Sequence, residues 1–176
     1  MTTAQPNLSR RLVAECIGTA FLLAAVVGSG IMGERLSGGN VAMALLANTI
    51  ATGATLVALI LALGPVSGAH LNPAVSVADA ALGGLPWGDV PGYLVAQILG
   101  AFVGVGLADL MFDLPAFTAS TSFANPAVTL ARAATDTFAG IRPADVPGFL
   151  IAQMAGAAAA AAVVRWLVPA DESRAR

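Results

Sequence analysis

The tetrapeptide Asn-Pro-Ala-Val occurs twice in this chain, each time between apolar segments long enough to cross a membrane. The copies are residues 72–75 and 125–128. Asparagine is a strong N-cap, proline is favoured at the first helical position, and alanine leaves room for a close neighbour. Each copy therefore predicts the start of a short helix at membrane depth. The residues concerned are Asn72, Pro73 and Ala74 in one copy and Asn125, Pro126 and Ala127 in the other.

The rest of the chain predicts membrane-spanning helices. Hydrophobic residues make up 57% of it and charged residues 10%, whereas soluble domains carry about 25% charged residues. Gly64-Pro65 is expected to end the second span, and the second short helix is expected to reach about Thr137. Gly100 and Gly104 in the third span favour close helix packing. We predict an all-α membrane protein with two re-entrant half-helices and four spans, roughly residues 12–32, 41–63, 91–112 and 147–168.

A longer internal repeat surrounds the two motifs. Residues 89–101 recur as residues 145–157 with few substitutions, and in both copies they follow a motif and its short helix. Motif, short helix, loop and span in the same order indicate a duplication. The first repeat is residues 1–112 and the second, which is shorter, is residues 113–176.

The charges predict how the repeats lie in the membrane. Arg10 and Arg11 precede the first span, so the positive-inside rule places the N-terminus in the cytoplasm. Following the spans, the two short helices enter from opposite faces with their N-termini at the midplane. The C-terminus returns to the cytoplasm, in agreement with Arg165, Arg174 and Arg176. This inverted repeat with discontinuous helices is a known plan for solute sites at the midplane.

The paired motifs predict a chemistry as well as a geometry. Capping uses the amide oxygen of Asn72 or Asn125, which leaves the amide nitrogen to donate to the oxygen of a passing water. Each helix N-terminus also carries roughly half a positive charge. Two such termini disfavour cations and interrupt a proton wire, so neutral solutes are expected to pass while protons and ions are excluded.

Polar residues inside the first two spans have two interpretations each. Glu15 is either an interfacial residue or an inward-facing carboxylate that accepts hydrogen bonds from irregular backbone. Asn48, Thr52 and Thr55 follow one another at i, i+4 and i+7 on one helical stripe. That stripe indicates either hydrogen bonds between helices or the wall of a wet pore.

Several function classes are disfavoured by the sequence. It has one His and one Cys, which cannot form a His/Cys metal cluster, and it has no phosphate-binding loop. We therefore predict that the chain is not an enzyme and has no metal or cofactor. His70 is interpreted as part of the hydrogen-bond network of the first motif loop. The net charge of −2 gives no reason to expect a nucleic-acid partner, so the expected partners are the lipid bilayer and small neutral solutes.

At its motifs the chain resembles the aquaporin (major intrinsic protein) family. Residues 67–75 match the first family signature, residues 125–127 the second, and residues 14–19 the signature of the first span. The resemblance implies that Glu15 braces a motif loop and that the protein is a channel of the cell membrane. Family members form tetramers, which implies a homo-oligomer here.

The chain departs from the family pattern before its second motif. Family members have six spans, and here only residues 113–124 stand where the usual fourth and fifth spans belong. In the family, that pair supplies half of the lining spans, a second bracing Glu and part of the tetramer contact.

The positions of the family's narrow filter are also unusual. The resemblance places Thr52 where water-selective members have an aromatic residue, and Ser122 and Val128 at the two loop positions, with Val128 in place of the filter Arg. A wider, uncharged filter favours larger neutral solutes such as glycerol or arsenous acid. Alternatively, Thr52 and Val128 are ordinary packing residues. A separate alternative is that Arg132, one helical turn further on, partly replaces the missing charge of the filter.

Two functions remain open from the sequence. The first is a channel for water and small neutral solutes in which two or more chains jointly complete the pore. The second is a non-conducting remnant of an aquaporin, or an assembly partner for full-length relatives, because an incomplete wall leaves loop backbone facing lipid.

Overall fold

The computed structural model describes residues 6–112, 125–135 and 140–167, with no side-chain description after residue 162, and every regular element in this part is helical. Four helices are long and apolar enough to cross a membrane, and two others are short. The prediction of an all-α protein with four spans and two half-helices is confirmed. The helices are α1 (Leu8–Leu36), α2 (Val41–Ser67), α3 (Pro73–Leu82), α4 (Val90–Phe112), α5 (Pro126–Arg132) and α6 (Val146–Leu167), and a 3-10 turn, Pro143–Asp145, precedes α6.

The second span is longer than predicted. Helix α2 continues through Gly64 and Pro65 to Ser67, so the expected helix end at the proline is wrong. Pro65 lies in the last turn, where its missing N–H costs a single backbone bond. The helix ends instead at Gly68, which adopts φ 89° and donates its N–H to the Gly64 carbonyl at 3.0 Å.

The second half-helix is shorter than predicted. Helix α5 stops at Arg132, well before Thr137, which lies outside the described residues. Ala133 donates its N–H to the Leu130 carbonyl at 3.3 Å, which tightens the last turn. Ile141 then donates its N–H to the Arg132 carbonyl at 3.1 Å, so the chain comes back across the helix end.

Helices α1 and α4 form the closest contact in the fold. A Cβ atom at Gly100 would collide with the backbone oxygen of Cys16, and one at Gly104 with the backbone oxygen of Ala20. The predicted close packing at these glycines is confirmed. Buried aliphatic side chains from both helices make up much of the core, which includes Leu23, Val27, Ala101 and Val105.

The outer faces of α2 and α6 lack a protein neighbour in the described chain. The apolar window of each helix has none of its residues buried. Gly156 in α6 is the repeat counterpart of Gly100, yet a Cβ there would meet nothing within 4 Å. A groove of about 580 Å³ runs between α3 and α6 and is lined by Gly156, Ala152 and Asn72 among others.

The two short helices run in opposite directions. Helix α3 leads from Asn72 toward the start of α4. Helix α5 leads from Asn125 toward the other end of α4, because Thr135, just beyond α5, donates to the Asp109 carboxylate at 2.8 Å. Since both helices begin near each other and diverge, their N-termini face one another inside the bundle.

Candidate pore site

Glu15 lies inside the bundle and anchors the loop that precedes α3. Its side chain is completely buried. Oε1 accepts from the Ser67 hydroxyl at 2.7 Å and the His70 N–H at 3.0 Å. Oε2 accepts from the Leu71 N–H at 2.7 Å and the Gln97 amide at 2.8 Å. Four donors around one carboxylate compensate for the loss of its hydration.

The loop between α2 and α3 has an uncommon backbone. Ala69 and Leu71 adopt positive φ angles of 48° and 49°, although neither is a glycine. The Ala69 N–H donates to the Ser67 hydroxyl at 3.1 Å. A Cβ atom at Gly18 would lie 2.6 Å from the Leu71 side chain, so this glycine makes room for Leu71 against α1. The contacts with α1 thus hold a loop that would be strained on its own.

Both motif asparagines cap their helices. The Asn72 side-chain oxygen accepts from the Ala74 N–H at 2.9 Å. The Asn125 oxygen accepts from the Ala127 N–H at 3.0 Å and, more weakly, from the Val128 N–H at 3.4 Å. Pro73 and Pro126 occupy the first position of their helices, where no N–H is needed.

The two motif loops touch through one side chain. The Asn125 amide nitrogen donates to the Leu71 carbonyl at 2.7 Å. An amide carries two N–H groups. One of them is therefore used within the protein, and for the other the described part of the chain supplies no acceptor. The sequence alone predicts that the Asn125 amide nitrogen donates to a passing water, whereas the structure uses one of its N–H groups to join the two loops.

A cavity of about 650 Å³ lies beside the two capped helix ends, with a wall from each repeat. Thr52 and Val128, two of the three predicted filter residues, both line it; Ser122 lies outside the described residues. The Thr52 hydroxyl is buried without a hydrogen-bond partner in the described part. The other polar residues along the cavity are Asn48, Thr49, His70, Asn72, Asn125 and Arg132.

The polar stripe of α2 combines the two interpretations. The Asn48 amide donates to the Val26 carbonyl at 2.6 Å and to the Ser29 hydroxyl at 3.0 Å, which joins α2 to α1. Asn48 and Thr52 both line the cavity. The same stripe therefore makes an interhelical contact and part of the cavity wall.

His70 takes part in the first loop through both its backbone and its ring. Nδ1 lies 3.1 Å from the Ser76 hydroxyl, and Nε2 lies 3.5 Å from the Asp79 carboxylate. The ring also packs against Tyr93, with centroids 5.4 Å apart. Ser76 and Asp79 were missed by sequence reasoning, although both follow Asn72 at helical spacing.

Gln97 and its repeat counterpart Gln153 make matching contacts that sequence reasoning also missed. The Gln97 amide donates to the Ser76 hydroxyl at 2.9 Å, and the Gln153 amide donates to the Thr129 hydroxyl at 2.7 Å. Each hydroxyl belongs to the residue four positions after a motif asparagine and donates to that asparagine's carbonyl. The recurrence of this glutamine in both repeats was the sequence signal that could have indicated these contacts.

Facing helix N-termini inside a bundle of membrane-spanning helices, beside a cavity walled by both repeats, define a channel architecture. Comparison with known proteins gives the particular family. The family described as "Major intrinsic protein" matches residues 2–124, and its match ends just before the second motif. The chain belongs to the major intrinsic protein family, whose members are channels for water and small solutes and not enzymes.

Similar proteins include bacterial, plant and protozoan channels. Aquaglyceroporin AqpS of Rhizobium meliloti (strain 1021) is 46% identical over 92% of this chain and 91% of its own length. That alignment extends over 214 positions, more than the 176 residues of this chain, so the relative has internal residues without a counterpart here. Probable aquaporin NIP7-1 of Arabidopsis thaliana is 40% identical and Aquaglyceroporin-3 of Trypanosoma brucei brucei 41% identical. The chain spans only 44% and 31% of those two relatives.

Proposed function

We propose that this chain forms a passive channel for water and small neutral solutes, with its constriction where Asn72 and Asn125 cap the two facing helices. The observation that carries the proposal is the bond from the Asn125 amide to the Leu71 carbonyl, 2.7 Å long, which joins the two loops beside the cavity. Facing helix N-termini disfavour cations. Oriented amide donors at the same point interrupt proton transfer along water.

We propose that the solutes include glycerol or arsenous acid. Thr52 and Val128 are short side chains on the cavity wall, and together with Ser122 they occupy the proposed filter. A filter without an aromatic ring leaves space for a solute larger than water. The names of two relatives, Aquaglyceroporin AqpS and Aquaglyceroporin-3, favour this solute class.

The channel is expected to sit in the cell membrane with both termini in the cytoplasm. Arg10 and Arg11 lie in the first turn of α1, and the positive-inside rule assigns that end to the cytoplasmic face. The two repeats, residues 1–112 and 113–176, then contribute one half-helix from each face.

Exchanging Asn125 for aspartate is expected to reduce permeation at least about tenfold in proteoliposomes. The carboxylate cannot donate, so the bond to the Leu71 carbonyl is lost and two oxygens face each other. Stopped-flow light scattering measures water efflux as shrinkage in a sucrose gradient and glycerol entry as reswelling in a glycerol gradient. The matched control is Asn40→Asp, because within the described residues the Asn40 side chain bonds through its oxygen alone, accepting from the Met43 N–H at 3.2 Å. Wild-type permeability equal to that of empty liposomes, unchanged by Asn125→Asp, would reject the channel.

We further propose that a second copy of the chain completes the pore wall. The groove between α3 and α6 opens beside Asn72 and Gly156. Gly156 is the repeat counterpart of Gly100, which packs against α1, so the groove is where the second repeat's counterpart of α1 would pack. A homo-oligomer closes it without any additional protein. The open groove equally motivates the alternative of a non-conducting remnant or assembly partner, in which a six-span relative covers this surface.

Filling the groove is expected to separate the copies. In Gly156→Leu the new side chain starts in open space, so the fold of one chain is retained while the groove is blocked. The mass in detergent should fall from an oligomer to a monomer, and glycerol entry into liposomes should be lost. Gly106→Leu is the control, because Gly106 also faces open space but lies on α4, away from the groove. A monomeric wild type without flux would favour the remnant.

A further inference from the structure

A partly buried hydrogen-bond network beside Glu15 also reaches the first motif loop. The Arg11 guanidinium donates through Nε to the Tyr93 hydroxyl at 2.9 Å and through a terminal nitrogen to the Asp89 carboxylate at 3.0 Å. The Tyr93 hydroxyl donates to the Ser67 carbonyl at 2.7 Å. Tyr93 is completely buried, so this contact is shielded from water.

The last residue in this series of hydrogen bonds is Ser67, at which the loop leaves α2. As the last residue of that helix it has a carbonyl with no intrahelical donor. Tyr93 supplies the donor, and the neighbouring guanidinium strengthens it by polarising the phenol. The Ser67 hydroxyl meanwhile holds the Ala69 N–H at 3.1 Å and donates to Glu15 at 2.7 Å. A shift of Ser67 would therefore displace the whole loop.

A shift of Ser67 would also affect the proposed constriction. Leu71 lies four residues after Ser67, and its carbonyl accepts the Asn125 amide at 2.7 Å. Ala69 and Leu71 both have positive φ angles, so the loop keeps its shape only while both of its ends are fixed. Glu15 binds the Ser67 hydroxyl and two backbone N–H groups of the loop, and Tyr93 binds the Ser67 carbonyl.

Comparison of the two repeats shows that the network from Arg11 through Tyr93 to Ser67 belongs to the first motif loop. The counterpart of Tyr93 is Phe149, which has no hydroxyl. The counterpart of Asp89 is Asp145, whose guanidinium partner is Arg142, three residues before it, at 2.9 Å. Arg142 is 69% exposed, whereas Arg11 is 16% exposed. The corresponding aspartate thus pairs with an arginine in both repeats, and the link through a phenol belongs to the first, because Tyr93 is the single tyrosine of the sequence.

We propose that Arg11 and Tyr93 are positioning residues that fix the first motif loop, and through Leu71 the constriction, in this repeat alone. The proposal rests on the proposed channel function for its effect on permeation. Neither residue lines the cavity beside the two motifs, and both act through the Ser67 carbonyl. The effect of Arg11 and Tyr93 on the shape of the loop does not depend on whether the chain conducts.

Amide hydrogen exchange of the full chain in detergent tests the loop directly. Tyr93→Phe keeps the ring beside His70 and removes only the hydroxyl. The amides of Ala69, His70 and Leu71 are expected to exchange about tenfold faster, since the Ser67 carbonyl loses its donor and Arg11 loses its acceptor. Arg11→Gln should act in the same direction, and Arg11→Lys should recover part of the protection. The matched control Arg142→Gln should leave these amides unchanged.

Proteoliposome measurements give a second readout that general destabilisation would not move in the same way. The ratio of proton conductance to water permeability should rise about tenfold in Tyr93→Phe and partly recover in Arg11→Lys, because a displaced Leu71 loosens the bond to Asn125. Unchanged exchange of the three loop amides in both Tyr93→Phe and Arg11→Gln would overturn the proposal. Faster exchange with no wild-type flux would support the positioning role and reject the channel. If Tyr93→Phe does not fold, loop exchange in the two Arg11 variants tests the proposal instead.

Discussion

Replacing Gly100 by alanine should destabilise the protein by about 3 kcal/mol or more, at the upper end of what an added methyl group costs in a packed interior. The new Cβ would collide with the backbone oxygen of Cys16. A backbone atom cannot rotate away, so α1 and α4 must separate. Separation also pulls Gln97 away from Glu15, a contact of 2.8 Å on the same helix pair. The decrease in the free energy of unfolding can be measured by chemical denaturation in detergent, monitored by circular dichroism.

The same substitution elsewhere on α4 provides the control. Gly106→Ala places its methyl group where nothing lies within 4 Å. Because alanine favours helix over glycine, this variant should be unchanged or more stable by about 0.5–1 kcal/mol. Equal stability of Gly100→Ala and Gly106→Ala would show that the two spans do not approach as closely as described.

Removing the charge of Glu15 should have an effect of similar size on the first loop. Each carboxylate oxygen accepts two hydrogen bonds. In Glu15→Gln one oxygen becomes an NH₂ group, which then faces two donors. The Ser67 hydroxyl or the Gln97 amide can turn to accept from that group, but the backbone N–H of His70 or Leu71 cannot, and one buried donor without an acceptor costs roughly 1–3 kcal/mol. We expect the free energy of unfolding to fall by that amount and solute flux to be lost, measured by denaturation in detergent and by liposome swelling.

Glu34→Gln is the matched variant on the same helix. Glu34 is exposed near the end of α1, so losing its charge should change stability by less than about 0.5 kcal/mol. An equal response of the two variants would mean that burial of the Glu15 carboxylate has no energetic consequence for the loop.

Most of the helices were predictable because their signals are local. Spanning length and apolar composition gave the four long helices, and Asn followed by Pro gave both short ones at their correct first residues. The helix ends were less predictable. Pro65 is a helix breaker in water, but in the last turn of α2 it costs a single backbone bond, so the helix passes through it. The early end of α5 depends on Ile141, which returns from nine residues beyond Arg132.

The site was predictable only where a motif or a resemblance marked it. Glu15 stood out as a carboxylate in an apolar segment, while Tyr93 looked like an ordinary span residue. Its importance comes from Arg11 and Ser67, which lie 82 and 26 positions away in the sequence. No periodic pattern links three such positions. The clue available was the difference between Tyr93 and Phe149 within an otherwise similar repeat.

The contacts of Glu15 have a consequence for the order of assembly during synthesis. Its four donors all come from residues 67–97, so the network around the first loop can be complete before the second motif has entered the membrane. The Asn125 bond to Leu71, by contrast, joins positions 54 apart and cannot form until the second motif has entered the membrane. The second half-helix therefore packs against a first loop whose own network is already complete, and α6 follows it.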